Sequence, residues 1–179
     1  IKTEFAGGSY WHPNYDPTDP MTFEDSHGPI PDKLQELIND KEAFSVLVSQ
    51  ATIYPDGRMI PVYMKGISSQ SIIDMPTSSL SHKDSSFIPI LIGKGMAEYA
   101  KLNIGDTFII RWLDINKTYD AAEGVVVEIM NTENFQIDNG HIWLPLDRLQ
   151  GMMSAQNHAT YVTHSLDNKW GQGLTEKWV

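Results

Sequence analysis

The sequence predicts a mixed α/β domain of the α+β kind, and three observations carry the prediction. Stretches rich in β-branched and aromatic residues recur at 44–53, 107–113 and 119–130. Asp56-Gly57 stands between two such stretches, a strong hairpin turn signal. Proline leads two short segments of helical composition, at 31–39 and 146–153. Strand–helix–strand units stand at both ends of the chain, and the middle is mostly β.

The elements follow in order. Gly7-Gly8, Pro13, Pro17, Pro20, Gly28 and Pro29 punctuate the first thirty residues. Each proline fixes φ and removes a donor, so no regular helix runs through them. Tyr10, Trp11, Tyr15 and Phe23 are interspersed there. They pin an irregular segment onto a core or, on a second reading, present rings to a partner. Ile30, Leu34, Leu37 and Ile38 recur at helical spacing, with Pro31 as the first helical residue and Asp32 at the positive end of the dipole. The strand over 44–53 puts Phe44, Val46 and Val48 on one face and Leu47 on the other. Its return over 59–65 ends at Gly66.

A serine-rich connector spans 68–86, with a short helical turn near Ile72-Ile73. A buried apolar run at 88–92 leads into a helix over 93–102, whose packed stripe is Met96, Ala97 and Ala100. Residues 103–106 turn the chain. The strand over 107–113 alternates Phe108, Ile110 and Trp112 with Ile109, Arg111 and Leu113. Residues 114–117 form a turn into a long strand over 119–130, whose stretch 124–129 reads as buried on both faces. Asp138-Asn139-Gly140 marks another turn. A short strand over 142–144, a helix opened by Pro145 and a final strand over 161–163 complete the chain.

Composition excludes several functions. Asp and Glu number 23 against 13 Lys and Arg, for a net charge of −10, and such a surface repels phosphate backbones. Nonspecific nucleic-acid binding is therefore excluded from the reading. The chain has no Cys, which removes disulfides, thiolate nucleophiles, iron–sulfur clusters and Cys-ligated zinc. No stretch approaches the length of a membrane-spanning helix, and no signal peptide is visible. A first residue of Ile1 and a polar stretch before Val179 predict a piece excised from a longer protein.

Motifs for chemistry are equally sparse. The six histidines, His12, His27, His82, His141, His158 and His164, fall in predicted loops or at element ends. None has the spacing that brings two ring nitrogens to one ion, so each reads as solvated. A two-histidine site assembled from distant loops stays open. Asp114 to Asp120 carries alternating oxygens, yet Tyr119 occupies the place of the EF-hand glycine, so a hairpin turn is the reading. Gly93-Lys94-Gly95 is followed by Met96, so it is a strand-to-helix turn and not a phosphate loop. There is no nucleophile elbow. The residues thus predict a non-enzymatic domain with no catalytic residue, no cofactor and no metal. A hydrolase whose site is scattered along the chain remains the minority alternative.

Three ordered stretches resemble a known family. Gly66-Ile67 closes a strand. Next comes Ile88-Pro89-Ile90-Leu91-Ile92-Gly93-Lys94-Gly95-Met96-Ala97, with Leu102-Asn103-Ile104-Gly105-Asp106-Thr107 after it. The third is Gly124-Val125-Val126-Val127-Glu128-Ile129, with Ile142-Trp143-Leu144-Pro145-Leu146-Asp147-Arg148-Leu149-Gln150 beyond. Their order and spacing resemble the periplasmic core domain of MacB/FtsX-type ABC transporter permeases, with the LolC/LolE-like branch closest. The chain departs from the family pattern at Ser68, where an acid is usual, and at Lys117 and Glu128, where glycine is usual.

The resemblance implies a domain on the periplasmic side of the bacterial inner membrane, anchored there in the native protein. It implies a core subdomain from 1–66 and 123–179 and an inserted β-rich subdomain over 67–122. It implies three kinds of partner: a cytoplasmic ATPase subunit reached through membrane helices, a second permease copy or homologue in a dimer, and a periplasmic protein or lipoprotein. Its function would be to couple cytoplasmic ATP hydrolysis to movement or release of an envelope substrate. Tyr10, Trp11, Tyr15 and Phe23 are the partner-contact candidates. The competing reading is a free-standing envelope binding protein for a sugar, lipid or peptide, which predicts a ligand-sized pocket.

Overall fold

The computed structural model describes residues 8–16, 18–68, 76–81, 86–131, 140–164 and 175–178. Its centre is a twelve-residue strand, β3 (Ala43–Tyr54), preceded in the chain by β1 (Ser9–Trp11), β2 (Gly28–Pro29) and helix α1 (Asp32–Asn39). It turns at Pro55–Gly57 into β4 (Ile60–Ile67). Asp56 and Gly57 both take left-handed backbone there, with φ of 48° and 74°, as the hairpin signal requires. β5 (Ile88–Gly93) feeds α2 (Lys94–Ala100), then β6 (Thr107–Leu113) and β7 (Tyr119–Met130) form a second hairpin. β8 (His141–Pro145) leads into α3 (Leu146–Met152), and β9 (His158–Ala159), β10 (Tyr161–His164) and β11 (Thr175–Lys177) follow. The class is mixed α+β, as the sequence predicts, with three α-helices among the described residues.

The sheet runs in the order β11-β1-β10-β3-β4-β8-β5-β7-β6, and β6 then pairs with β3. That last pairing, Ala51 opposite Trp112 through Tyr54 opposite Ile109, curls six strands into a closed barrel. The pairings β4–β8 and β5–β7 are parallel and the other four of the ring are antiparallel. The segment 67–122 contributes β5, β6 and the start of β7 to this ring, and the flanking segments contribute the rest. Strands of both segments thus share one barrel and one interior.

Strand alternation sorts the core. Leu47 and Ile53 of β3, Ile88, Ile90 and Ile92 of β5, Ile110 of β6 and Ile142 and Leu144 of β8 meet in one cluster that fills the barrel. Met96 and Ala100 of α2 and Leu149 of α3 pack against them. The opposite face of the same strands gives a second cluster: Phe44, Val46 and Val48 of β3, Leu91 of β5 and Trp143 of β8. The division of β3 into two faces is therefore as its alternation predicts. A third cluster packs Ile30 and Leu34 with Ala159, Val162 and Trp178, and Leu37 and Ile38 lie partly buried against it.

Three details differ from what the sequence predicts. The stretch 124–129 is not buried on both faces. Only Gly124 and Val126 are buried, and Val125, Val127, Glu128 and Ile129 stay half-exposed. The cause is local: the register against β5 shifts between Ile90 and Leu91, so β7 carries one extra residue there, Val127. Glu128 thereby reaches the outer face, where Ser79 donates to its Oε2 at 3.4 Å. Pro31 caps α1 from outside and is not its first helical residue. The histidines are not uniformly solvated, because His164 is buried in β10 and His141 packs between Tyr63 and Trp143. The turn near Ile72-Ile73, the residues Asp138 and Asn139, and His82 lie outside the described residues.

Candidate functional site

β3 changes partner part-way along one edge. β10 pairs with Ala43 to Val46, and β6 pairs with Ala51 to Tyr54. The gap between them is bridged by Thr160, whose backbone N–H donates to Val46 O at 2.8 Å and whose Oγ1 accepts the Val48 N–H at 2.9 Å. Above this seam opens a cleft of 660 Å³. Its floor is the outer face of the barrel at Gln50, Thr52, Tyr63 and Arg111. One wall is a strap over 18–29, a helical turn from Pro20 to Asp25 followed by β2. The other wall is the β6–β7 turn, with Asp114, Ile115 and Lys117.

The aromatic residues singled out in the sequence explain why the strap sits there. Trp11 packs edge-on against Tyr15 at 5.1 Å, Tyr15 tilts against Phe23 at 5.5 Å, and Phe23 packs on Tyr63 at 5.2 Å. Tyr15 and Phe23 are buried, so their burial holds the strap to the barrel. Phe23 also lines the cleft. Tyr10 points to the other side and meets the His164 ring at 5.5 Å. The four candidates therefore do not converge on one exposed surface.

Polar contacts tie the two walls. Lys117 Nζ meets Glu24 Oε2 at 2.7 Å across the cleft, and this contact raises the Lys117 pKa. Lys117 takes a φ of 61°, a conformation that suits the glycine usual at this place in the resembled family. Asp114 folds the turn on itself: its Oδ1 accepts the Thr118 N–H at 2.8 Å and the Asn116 N–H at 2.9 Å. Those bonds, led by the one from Thr118, hold its carboxyl below the usual carboxylate range. Its oxygens thus hold the hairpin turn together. The Arg111 guanidinium lies over the Tyr119 ring, 4.4 Å from its centroid.

The cleft also holds a pair of histidines that sequence spacing could not join. His27 in the strap and His158 in β9 meet at 3.0 Å between their Nδ1 atoms. Burial, then the charge a proton would place on His158, lowers the His27 pKa to about 4, and burial lowers that of His158. Both rings are therefore neutral at neutral pH. Among the described residues no group of three or more metal-ligating side chains converges.

No family model matches the sequence, and no curated protein matches it. Solved structures do. The chain shares its fold with an extracellular transporter domain. This is the extracellular domain of the noncanonic ABC-type transporter YknZ from Gram-positive bacteria, at 13% identity and a TM-score of 0.54. The match covers 90% of this chain and 83% of that one. The periplasmic region of MacB from Actinobacillus actinomycetemcomitans also aligns, at 11% identity and a TM-score of 0.47, over 71% of this chain and 59% of that one.

Proposed function

We propose that this chain is the extracytoplasmic domain of an ABC transporter permease, with the LolC/LolE-like branch as its place in the family. The observation that carries the reading is the fold shared with the YknZ extracellular domain over nine-tenths of this chain. The ordered motifs are its second support, and the structure gives them fold roles. Gly93 bends β5 into α2, Gly105 turns at a φ of 92°, and Pro145 sets the start of α3. The domain does not catalyse a reaction. It relays cytoplasmic ATP hydrolysis to a lipoprotein, peptide or partner protein in the envelope. It works beside a second permease copy or homologue, with an ATPase bound through the membrane part. No described helix is long and apolar enough to cross a membrane.

The test is fractionation of the native host, probed with antibody to this domain. A detergent-requiring band well above the size of this chain, which crosslinks to an ATPase subunit, is the expected result. A soluble band of this chain's own size overturns the reading. It would favour instead a free-standing envelope binding protein, and the specific observation on that side is the cleft, whose 660 Å³ suits a small ligand.

A further inference from the structure

His27 and His158 lie 131 residues apart in sequence and meet nitrogen to nitrogen at the end of the cleft. Their ring centroids are 5.3 Å apart. That is as long as the 3.0 Å nitrogen gap and the two centroid-to-nitrogen distances laid end to end, so the rings face head-on. Two imidazoles chelating one ion aim their lone pairs at a third point instead. The contact is therefore a hydrogen bond, in which one Nδ1 carries the proton and the other accepts it. The backbone enforces the meeting, because Gly28 pairs with Ala159 and Pro29 with His158. Ile30 N–H then donates to Asn157 O at 3.2 Å, closing the same junction.

Proton counting decides what this bond tolerates. The neutral pair holds one Nδ1 proton. A first added proton lands on the outer Nε2 of the donor ring and leaves the bond intact, now charge-assisted. A second must land on the accepting Nδ1, where it meets the other N–H head-on and puts two cations in contact. The surrounding charges offer little relief. The strap carries Asp19, whose Oδ1 accepts the Met21 N–H, with Glu24 and Asp25; the segment after β1 carries His12, and the β6–β7 turn carries Asp114 and Lys117. Glu24 is taken by Lys117, and Asp114 by its own turn. Asp25 alone favours a proton on His27, while His158, His12 and Lys117 oppose it. The connection over 153–157 carries no charge, and Gln150 reaches the junction only through its amide, which donates to His158 O at 3.0 Å.

We propose that the His27–His158 hydrogen bond is a proton-counting latch on the cleft: it stays shut with no added proton or one, and opens the β2–β9 junction when a second is bound. Acid then loosens one wall of the cleft while the barrel stays folded.

The test follows the whole chain by NMR from about pH 7.5 to about pH 3.5, across the ordinary histidine range and below. At the upper end, a nitrogen–nitrogen coupling through the hydrogen bond between the two Nδ1 atoms is expected. Hydrogen exchange of the Ile30 amide, corrected for intrinsic rate, should lose roughly ten-fold or more of its protection towards the acid end, with Ile110 in the barrel unchanged. His158→Asn keeps a neutral partner that cannot take the second proton, so its Ile30 protection should stay flat. His27→Asn is the second variant and should do the same. A missing coupling overturns the proposal. So does loss of Ile30 protection in step with Ile110, or an equal loss in both variants.

Discussion

Gly66 shows how much one missing methyl can matter. A Cβ there would stand 3.0 Å from Leu149 Cβ and 3.2 Å from Leu146 Cα, the latter a backbone atom that cannot swing away. The glycine is what lets α3 lie directly on β4. Gly66→Ala should therefore cost about 1–3 kcal/mol. It should lower the urea midpoint with an unchanged slope. A midpoint equal to that of the wild type would remove the close-approach argument. His27 gives a second residue-level prediction. Its pKa is about 4 in the folded chain against an ordinary 6.5, so between those values the unfolded chain binds more protons. The stability its neutral burial contributes is whole above pH 6.5 and is lost as pH falls through about 4. Urea midpoints should thus fall further for the wild type than for His27→Phe across that window, and parallel curves would refute the assignment.

At the scale of elements, the seam in β3 is the decisive feature. The buried Thr160 hydroxyl accepts the Val48 N–H where neither β10 nor β6 can reach it. Thr160→Val keeps the shape and leaves a buried donor without its acceptor, which costs about 1–3 kcal/mol. Hydrogen exchange should show the loss first at Val48, and a Val48 amide as protected as before would count against the role. This seam was not legible in the sequence, whereas β3 itself was. Alternation at Phe44 to Val48 is a local signal, and so is Asp56-Gly57. The pairing of Ala51 with Trp112 is set by two surfaces some sixty residues apart, and no local period records it. The same reason hid the cleft. Its walls come from residues 18–29, 113–119 and 158, and the histidine spacings gave no hint that His27 and His158 would meet. The register shift at Val127 has no local signature, because a run of valines reads alike in any register.

For the whole molecule, closure of the barrel makes distant segments depend on one another. β6 is the closing strand, and Ile110 at its centre is fully buried. Ile110→Ala should cost about 2–5 kcal/mol, because a closed ring cannot collapse easily around the space left. The two buried tryptophans of the barrel, Trp112 in β6 and Trp143 in β8, lie on strands that do not touch. Fluorescence of Trp112→Phe and Trp143→Phe should nonetheless report coincident transitions, each displaced only by its own substitution. Separate transitions within one variant, by fluorescence and by circular dichroism, would mean that the strands of 67–122 unfold as a unit of their own. The pairing of β1 with β11 carries a different consequence. These strands are parallel, with Ser9 opposite Thr175 and Trp11 opposite Lys177, and Trp178 N–H donates to Trp11 O at 2.8 Å. A pull on the chain before Ser9 and after Lys177 would load their bonds in shear, all at once, and not peel them one by one. Tension arriving at both ends would then be borne at that junction and passed to the barrel as rigid tilt, with little of it spent on stretching the domain.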